Sequence, residues 1–216
     1  MQATHLHKKV NDLQTQFGDS RLAPIYGAGC IKHPVLMLVF MNPTGKNVAA
    51  KKSWRGLRAP WLGTKNVWKL LHRIRAISTA HFRATQQLKP SEWTPAFCKS
   101  LYSEIATHRI FITNLAKCTQ QNARPLANTI FEKYLKVFQE EVQFVKPEKI
   151  ILFGNQVSSI LLRKRISVRD YPGIQYERIT ISNAQYLAYP TWYPVGQGMR
   201  NLHLAIQRIR KIIAEI

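Results

Sequence analysis

Acidic residues are what this sequence has least of. Eleven Asp plus Glu stand against 32 Lys plus Arg in 216 residues, a formal charge of +21 and a pI near 10.3. The deficit is regional. Between Asp19 and Glu92 there is no carboxylate, while 13 Lys or Arg fall in that span. A second acid-free run extends from Arg178 to Ala214 and carries Arg200, Arg208, Arg210 and Lys211. One-signed charge confined to segments makes a directed field that attracts polyanions and speeds their encounter. It points to nucleic acid as the partner, a ribosomal or membrane-surface role being the other reading. Cysteine is scarce as well: Cys30, Cys98 and Cys118 are odd in number and widely spaced, which gives neither a disulfide framework nor a zinc site. No apolar run reaches the ~20 residues needed to cross a bilayer. The first 17 residues lack the apolar core of a signal peptide and read as a short amphipathic helix. His5 and His7 read as solvated histidines rather than metal ligands. The expectation is a cytoplasmic, nucleic-acid-associated monomer with no membrane contact, no metal and no cofactor.

What is present points to an α/β protein. At 45% hydrophobic content, residues 1–216 are expected to form one domain, with 1–33 as an N-terminal helical extension. Short apolar runs at 34–40, 109–113, 148–153 and 184–189 alternate with segments of helical period, the pattern of βαβ units around a parallel sheet. Helices are expected over Lys65–Ile77, from Pro125 to about Val145, from Gly154-Asn155 onward, and over 199–215 with arginines outside. Residues 79–107 and 164–183 give no clear reading. The predicted fold is a three-layer α/β/α sandwich with a four-stranded, mainly parallel sheet. Right-handed crossovers place the loops 41–63, 114–124, 154–156 and 190–198 at the carboxyl edge of that sheet, where open α/β sheets hold their ligands.

The richest loop is Phe40 to Gly63. It carries Lys46, Lys51, Lys52, Arg55 and Arg58 with Trp54 and Trp61 among them. Asn42-Pro43 reads either as a turn device or as a carboxamide that fixes a water molecule. Asn114, directly after a strand, either caps a loop or both donates to and accepts from a base edge. Trp61 is either a core residue or an aromatic face presented by a rigid Pro-Trp-Leu-Gly turn, a platform worth ~1–3 kcal/mol per stacked base. Trp192 and Tyr193, in a loop bounded by prolines and glycines, suit a wedge into a base stack.

In this order the pieces resemble the uracil-DNA glycosylase superfamily. The place of the strand-end motif G-(I/M)-N-P-G of its mismatch-specific and single-strand-selective branches is occupied by Phe40-Met41-Asn42-Pro43-Thr44. The loop G-R-P-F-V-G of its iron–sulfur branch, followed by a helix, is similar to Gly56 through Gly63 and the residues after them. The T-N-x-x-K-C of that branch is met at Thr113, Asn114, Lys117 and Cys118, with Arg124-Pro125 following, and its strand–Gly segment fits Ile150 to Gly154. The resemblance covers about residues 34–210. It implies a monofunctional DNA glycosylase that flips uracil or a related deaminated base out of the stack and hydrolyses its N-glycosidic bond. Asn42 then holds the attacking water, Met41 and Trp61 contact the base, Asn114 reads its Watson–Crick edge, and Gly56 and Gly63 shape the loop. Lys51, Lys52, Arg55, Arg58 and Arg200 are assigned to phosphate, and Trp192 and Tyr193 to the stack. Three departures accompany this match. The usual His-Pro-Ser of the last loop is Tyr189-Pro190-Thr191, so Tyr189 becomes the candidate donor to the leaving base. The usual Gly before the Asn is Phe40, which adds bulk beside the pocket. Only Cys118 matches the cluster cysteines, and three cysteines cannot supply a four-cysteine set. A binding protein that keeps the fold without the chemistry is the alternative.

Overall fold

A computed structural model describes residues 2–123 and 126–215, apart from the side chains of 2–4 and 197. Arg124 and Pro125, which close one of the matched motifs, lie outside the described residues. The sheet has six strands in the order β1-β3-β2-β4-β6-β5. Their ranges are β1 Ala28–Gly29, β2 Leu36–Phe40, β3 Ile110–Asn114, β4 Lys149–Phe153, β5 Glu177–Ile181 and β6 Ala184–Thr191. The four central strands, β3, β2, β4 and β6, are parallel, as the four apolar runs predict. The strand count is a correction: β1 and β5 pair antiparallel at the two edges. Neither carries the continuous apolar run of a strand buried on both faces. β1 is only two residues long, and β5 alternates between partly buried and exposed positions.

Side chains of β2 alternate between two cores, as the strand period of two requires. Leu36, Leu38 and Phe40 face one core with α2 (Trp68–Arg73), α4 (Pro95–Thr107) and α8 (Leu202–Ile213). Met37 and Val39 face the other with α5 (Asn128–Lys133), α6 (Leu135–Val145) and α7 (Gly154–Leu162). α1 (Gln2–Phe17) packs on α6 and adds Val10 to the second core. α3 (Thr79–Gln87) lies against α2, with Phe82 packed on the first core. No helix among the described residues is long and apolar enough to cross a membrane. The strand ends align. Phe40 is in register with Asn114, and Phe153 with Thr191, so the residues just beyond them emerge at one edge.

Several helices are shorter than their periodicity predicts. The first ends at Arg73, with Arg75 in the left-handed region (φ 61°). The segment before Val145 breaks at Tyr134 into α5 and α6. A tight turn over Gly196–Asn201 precedes α8. Arg208 is a further correction, being buried rather than outside. Its guanidinium donates to the carbonyls of Tyr171, Gly173 and Gln175, the last two at 2.8 and 2.5 Å. Those carbonyls belong to a connection without ladder partners, and a buried C=O left unpaired is costly. Burial pulls the guanidinium down to about 10. Arg208→Leu is expected to lower the unfolding free energy by about 3 kcal/mol in urea titrations, the scale of charged hydrogen bonds lost to buried acceptors. A change below ~0.5 kcal/mol, the range of ordinary surface substitutions, would show that the loop holds itself.

Candidate functional site

Beneath the carboxyl edge lies a buried charge pair. Lys117 follows β3 by three residues, is 1% exposed, and turns its ammonium back under the strand. That ammonium donates to Thr113 Oγ1 at 2.7 Å, the Asn114 carbonyl at 2.9 Å and Glu141 Oε2 at 2.8 Å. Thr113 Oγ1 in turn donates to Glu141 Oε2 at 2.9 Å. All three ammonium protons are thereby used. The network ties the end of β3 to α6 and fixes the backbone of Asn114.

Above it, the loops at the strand ends enclose a cleft of about 970 Å³. Met41, Asn42, Trp61, Asn114, Trp192 and Tyr193 all line it. Asn114 is 3% exposed, and its Oδ1 has no hydrogen-bond partner among the described residues. Buried carboxamide oxygens are seldom left unpaired, so an unpaired one in a cleft wall marks a place for a ligand donor. Asn42 donates through Nδ2 to the Pro43 carbonyl at 3.2 Å, which orients the amide at the end of β2. Trp61 is held in the left-handed region (φ 67°), a conformation that costs a bulky residue about 1–3 kcal/mol. Gly63 permits the tight turn around it. Its own φ is 78°, and a Cβ there would fall 2.2 Å from Val48 Cγ1. Trp61 meets Phe40 edge-on with ring centroids 5.0 Å apart, and its buried indole N–H has no partner among the described residues.

Phe40 turns away from the cleft. It is fully buried and stacks on Phe153 with centroids 4.4 Å apart. The ring that replaces the usual glycine is thus part of an aromatic floor under Trp61 and Tyr193, and it takes no space from the cleft.

Other expectations are corrected. Tyr189 is 2% exposed and lies within β6, two residues short of the strand end, rather than at the head of a loop. Its ring packs in the core beneath α8, 5.6 Å from Tyr176, and does not line the cleft. Burial raises its phenol above the ordinary value. Arg58 is committed to its own loop, donating to the carbonyls of Ala49, Lys51 and Trp54, the last two at 3.2 Å. Lys51, Lys52, Arg55 and Arg200 are exposed but stand outside the cleft lining. Trp192 and Tyr193 are partly buried against the core and form cleft wall rather than a projecting wedge. The exposed apolar residue of that connection is Met199, at 42%. Cys118 is buried, and burial raises its thiol pKa, as fits a packed, unreactive side chain.

The cleft also holds Asn66, Arg169 and Asn201, which lie outside the loops expected there, and Lys46 and Asn155, which lie within those loops but were given no individual role. Asn155 opens α7, and its Oδ1 accepts from the Val168 amide at 3.0 Å, which draws the Ser167–Arg169 turn to the rim. The loop at 154–156 signalled Asn155. Arg169 lies in a segment without periodicity and left no signal.

A family model for the uracil DNA glycosylase superfamily matches residues 27–215. The chain belongs to this superfamily. No protein of curated function matches it. The superfamily match takes in every strand of the sheet and all the cleft residues named above, and leaves out α1.

Glu141 and Lys117 hold the β3 end of this site. Lys117→Met alone strands a buried carboxylate and is expected to cost about 3–5 kcal/mol, whereas adding Glu141→Leu recovers most of that loss. Urea unfolding of both variants measures it. A single-variant cost under ~1 kcal/mol would mean that the pair is no stronger than a surface salt bridge.

Proposed function

We propose that this protein is a monofunctional DNA glycosylase that removes uracil or a related deaminated base. The observation that carries the reading is the buried, unpartnered Oδ1 of Asn114, in one cleft with Asn42 and Trp61. Deamination leaves a ring N–H beside a carbonyl on the Watson–Crick edge of the base, and that N–H is the donor the Asn114 oxygen lacks. Trp61 gives the extruded base a face to stack on. Asn42, at the end of β2, holds water against the sugar carbon as the glycosidic bond breaks. The base departs as an anion, and the only ionised side chains among the described lining residues are the cations Lys46 and Arg169. Positive charge at the cleft lowers the cost of that anion through space. Lys117, the lysine inside a matched motif, is committed to Glu141, Thr113 and the Asn114 carbonyl, so it offers no free amine for Schiff-base chemistry.

Met199, exposed on the turn before α8, suits the wedge role better than Trp192 or Tyr193, which pack into the wall. A second reading, a nucleic-acid-binding protein with the glycosylase fold but no turnover, draws support from the position of Tyr189. With that phenol in the core, the described lining residues include no His, Asp or Glu.

Single-turnover base release from a uracil-containing strand tests the assignments. Asn42→Ala is expected to slow release by about 10²-fold, the scale of losing the position of a reactant, with binding retained. Tyr189→Phe should remain within about twofold of the parent, since it touches no reacting atom. Equal rates for Asn42→Ala and the parent would remove Asn42 from the mechanism, and a large loss with Tyr189→Phe would restore the phenol to it.

A further inference from the structure

The cleft is larger than one base needs. Its volume of about 970 Å³ lies at the top of the ~300–1,000 Å³ range that accommodates a whole drug-sized ligand. Besides its two cations, Lys46 and Arg169, the described lining carries aromatic and apolar side chains and neutral amides, among them Asn42, Asn66, Asn114 and Asn155. Lys46 and Arg169 are both exposed, and neither makes a hydrogen bond or ion pair with a described residue. Asp170, the carboxylate next to Arg169 in sequence, is exposed and does not pair with it.

The fold sets the two cations apart. The Lys46 loop is anchored to the segment after β3, where Gly45 N–H donates to the Gln120 carbonyl at 2.8 Å and Thr44 bridges Gln120. The Arg169 turn is anchored past β4, through the bond from the Val168 amide to Asn155. In the strand order β3-β2-β4, Asn42 at the end of β2 comes between those anchors. Two cations on loops anchored at different strand ends, around a trough of aromatics and neutral amides, match a nucleotide chain, with its charge on the phosphates and its stacking and hydrogen bonding on the bases.

We infer that one nucleic-acid strand lies along this cleft, with Lys46 and Arg169 holding the phosphates on the two sides of the nucleotide whose base enters. The inference rests on the reading that the cleft takes an extruded nucleotide, but it concerns binding and requires no turnover. A duplex is too wide to enter the cleft, so a fully paired duplex without a target base meets only the outer cations, such as Lys51, Lys52 and Arg55.

The test is the salt dependence of binding to a short single strand carrying 2′-fluorinated deoxyuridine, whose glycosidic bond resists hydrolysis. Fluorescence anisotropy would follow the parent, Lys46→Ala, Arg169→Ala, the double variant and, as a control on the exposed end of α8, Lys211→Ala. Each cleft substitution should lower the slope of log affinity against log salt by about 0.7, the increment for one phosphate contact on a single strand, and the double variant by about twice that. Lys211→Ala should leave the slope unchanged, and none of the cleft variants should alter binding to the undamaged duplex. Parent slopes for Lys46→Ala and Arg169→Ala on the single strand would overturn the inference, as would equal losses on the duplex. Base release by the same preparations, on unmodified deoxyuridine, separates the two claims. Lowered slopes without release support the strand path and remove the glycosylase reading, whereas release with unaltered slopes does the reverse.

Discussion

The carboxyl end of β3 rests on one buried ammonium. Lys117 enters the protein interior with a carboxylate, a hydroxyl and a backbone carbonyl arranged around it, and each of its protons is taken. A buried charge is tolerable only when paired and hydrogen-bonded in this way, and removal of either partner leaves the other stranded. The same bonds clamp the carbonyl of Asn114, which places its carboxamide at the strand end. Asn114 can therefore leave its own Oδ1 unpaired toward a ligand without losing its position. The cost of that open acceptor is offset by the saturated network below it.

The opposite wall is built from aromatic packing. Phe40 occupies the position just before Met41-Asn42, and its ring, buried against Phe153, supports the edge of Trp61. Trp61 is strained in the left-handed region, and bulky residues persist there only where the surroundings determine them. Val48 against Gly63 on one side and Phe40 on the other supply that determination. The cleft thus combines a fixed carboxamide and a fixed aromatic with two exposed cations, Lys46 and Arg169, in its lining. Rigid recognition together with exposed charge suits a flexible, charged polymer better than a small rigid ligand.

The parts legible in the sequence were those whose physics is local. Three strands buried on both faces, β2, β3 and β4, announce themselves as continuous apolar runs and β6 as a weaker one, and their alternation with helices dictates a parallel sheet and a shared carboxyl edge. The loops after them were therefore placed correctly, and Asn42, Trp61 and Asn114 line the same cleft. Tyr189 was misplaced because β6 runs two residues further than its apolar run suggests. A shift of two keeps a side chain on its face but moves it from the strand end into the core. Arg58 and Arg208 looked like solvated charge because the acceptors that claim them are backbone carbonyls, which converge only when the chain is folded. Arg169 was invisible for a related reason, since the turn that delivers it is held by a side chain, Asn155, rather than by any periodic pattern.

The central claim is that this edge is a site of N-glycosidic hydrolysis, and free base is its direct product. Chromatography of reactions with strands containing uracil, hypoxanthine or xanthine, in single- and double-stranded form, would detect it. The account predicts a released deaminated base and an abasic site in an otherwise unbroken strand. Salt-sensitive binding to every strand in the panel with no free base from any of them would contradict it, and would identify the cleft as a reader of nucleic acid rather than a catalyst.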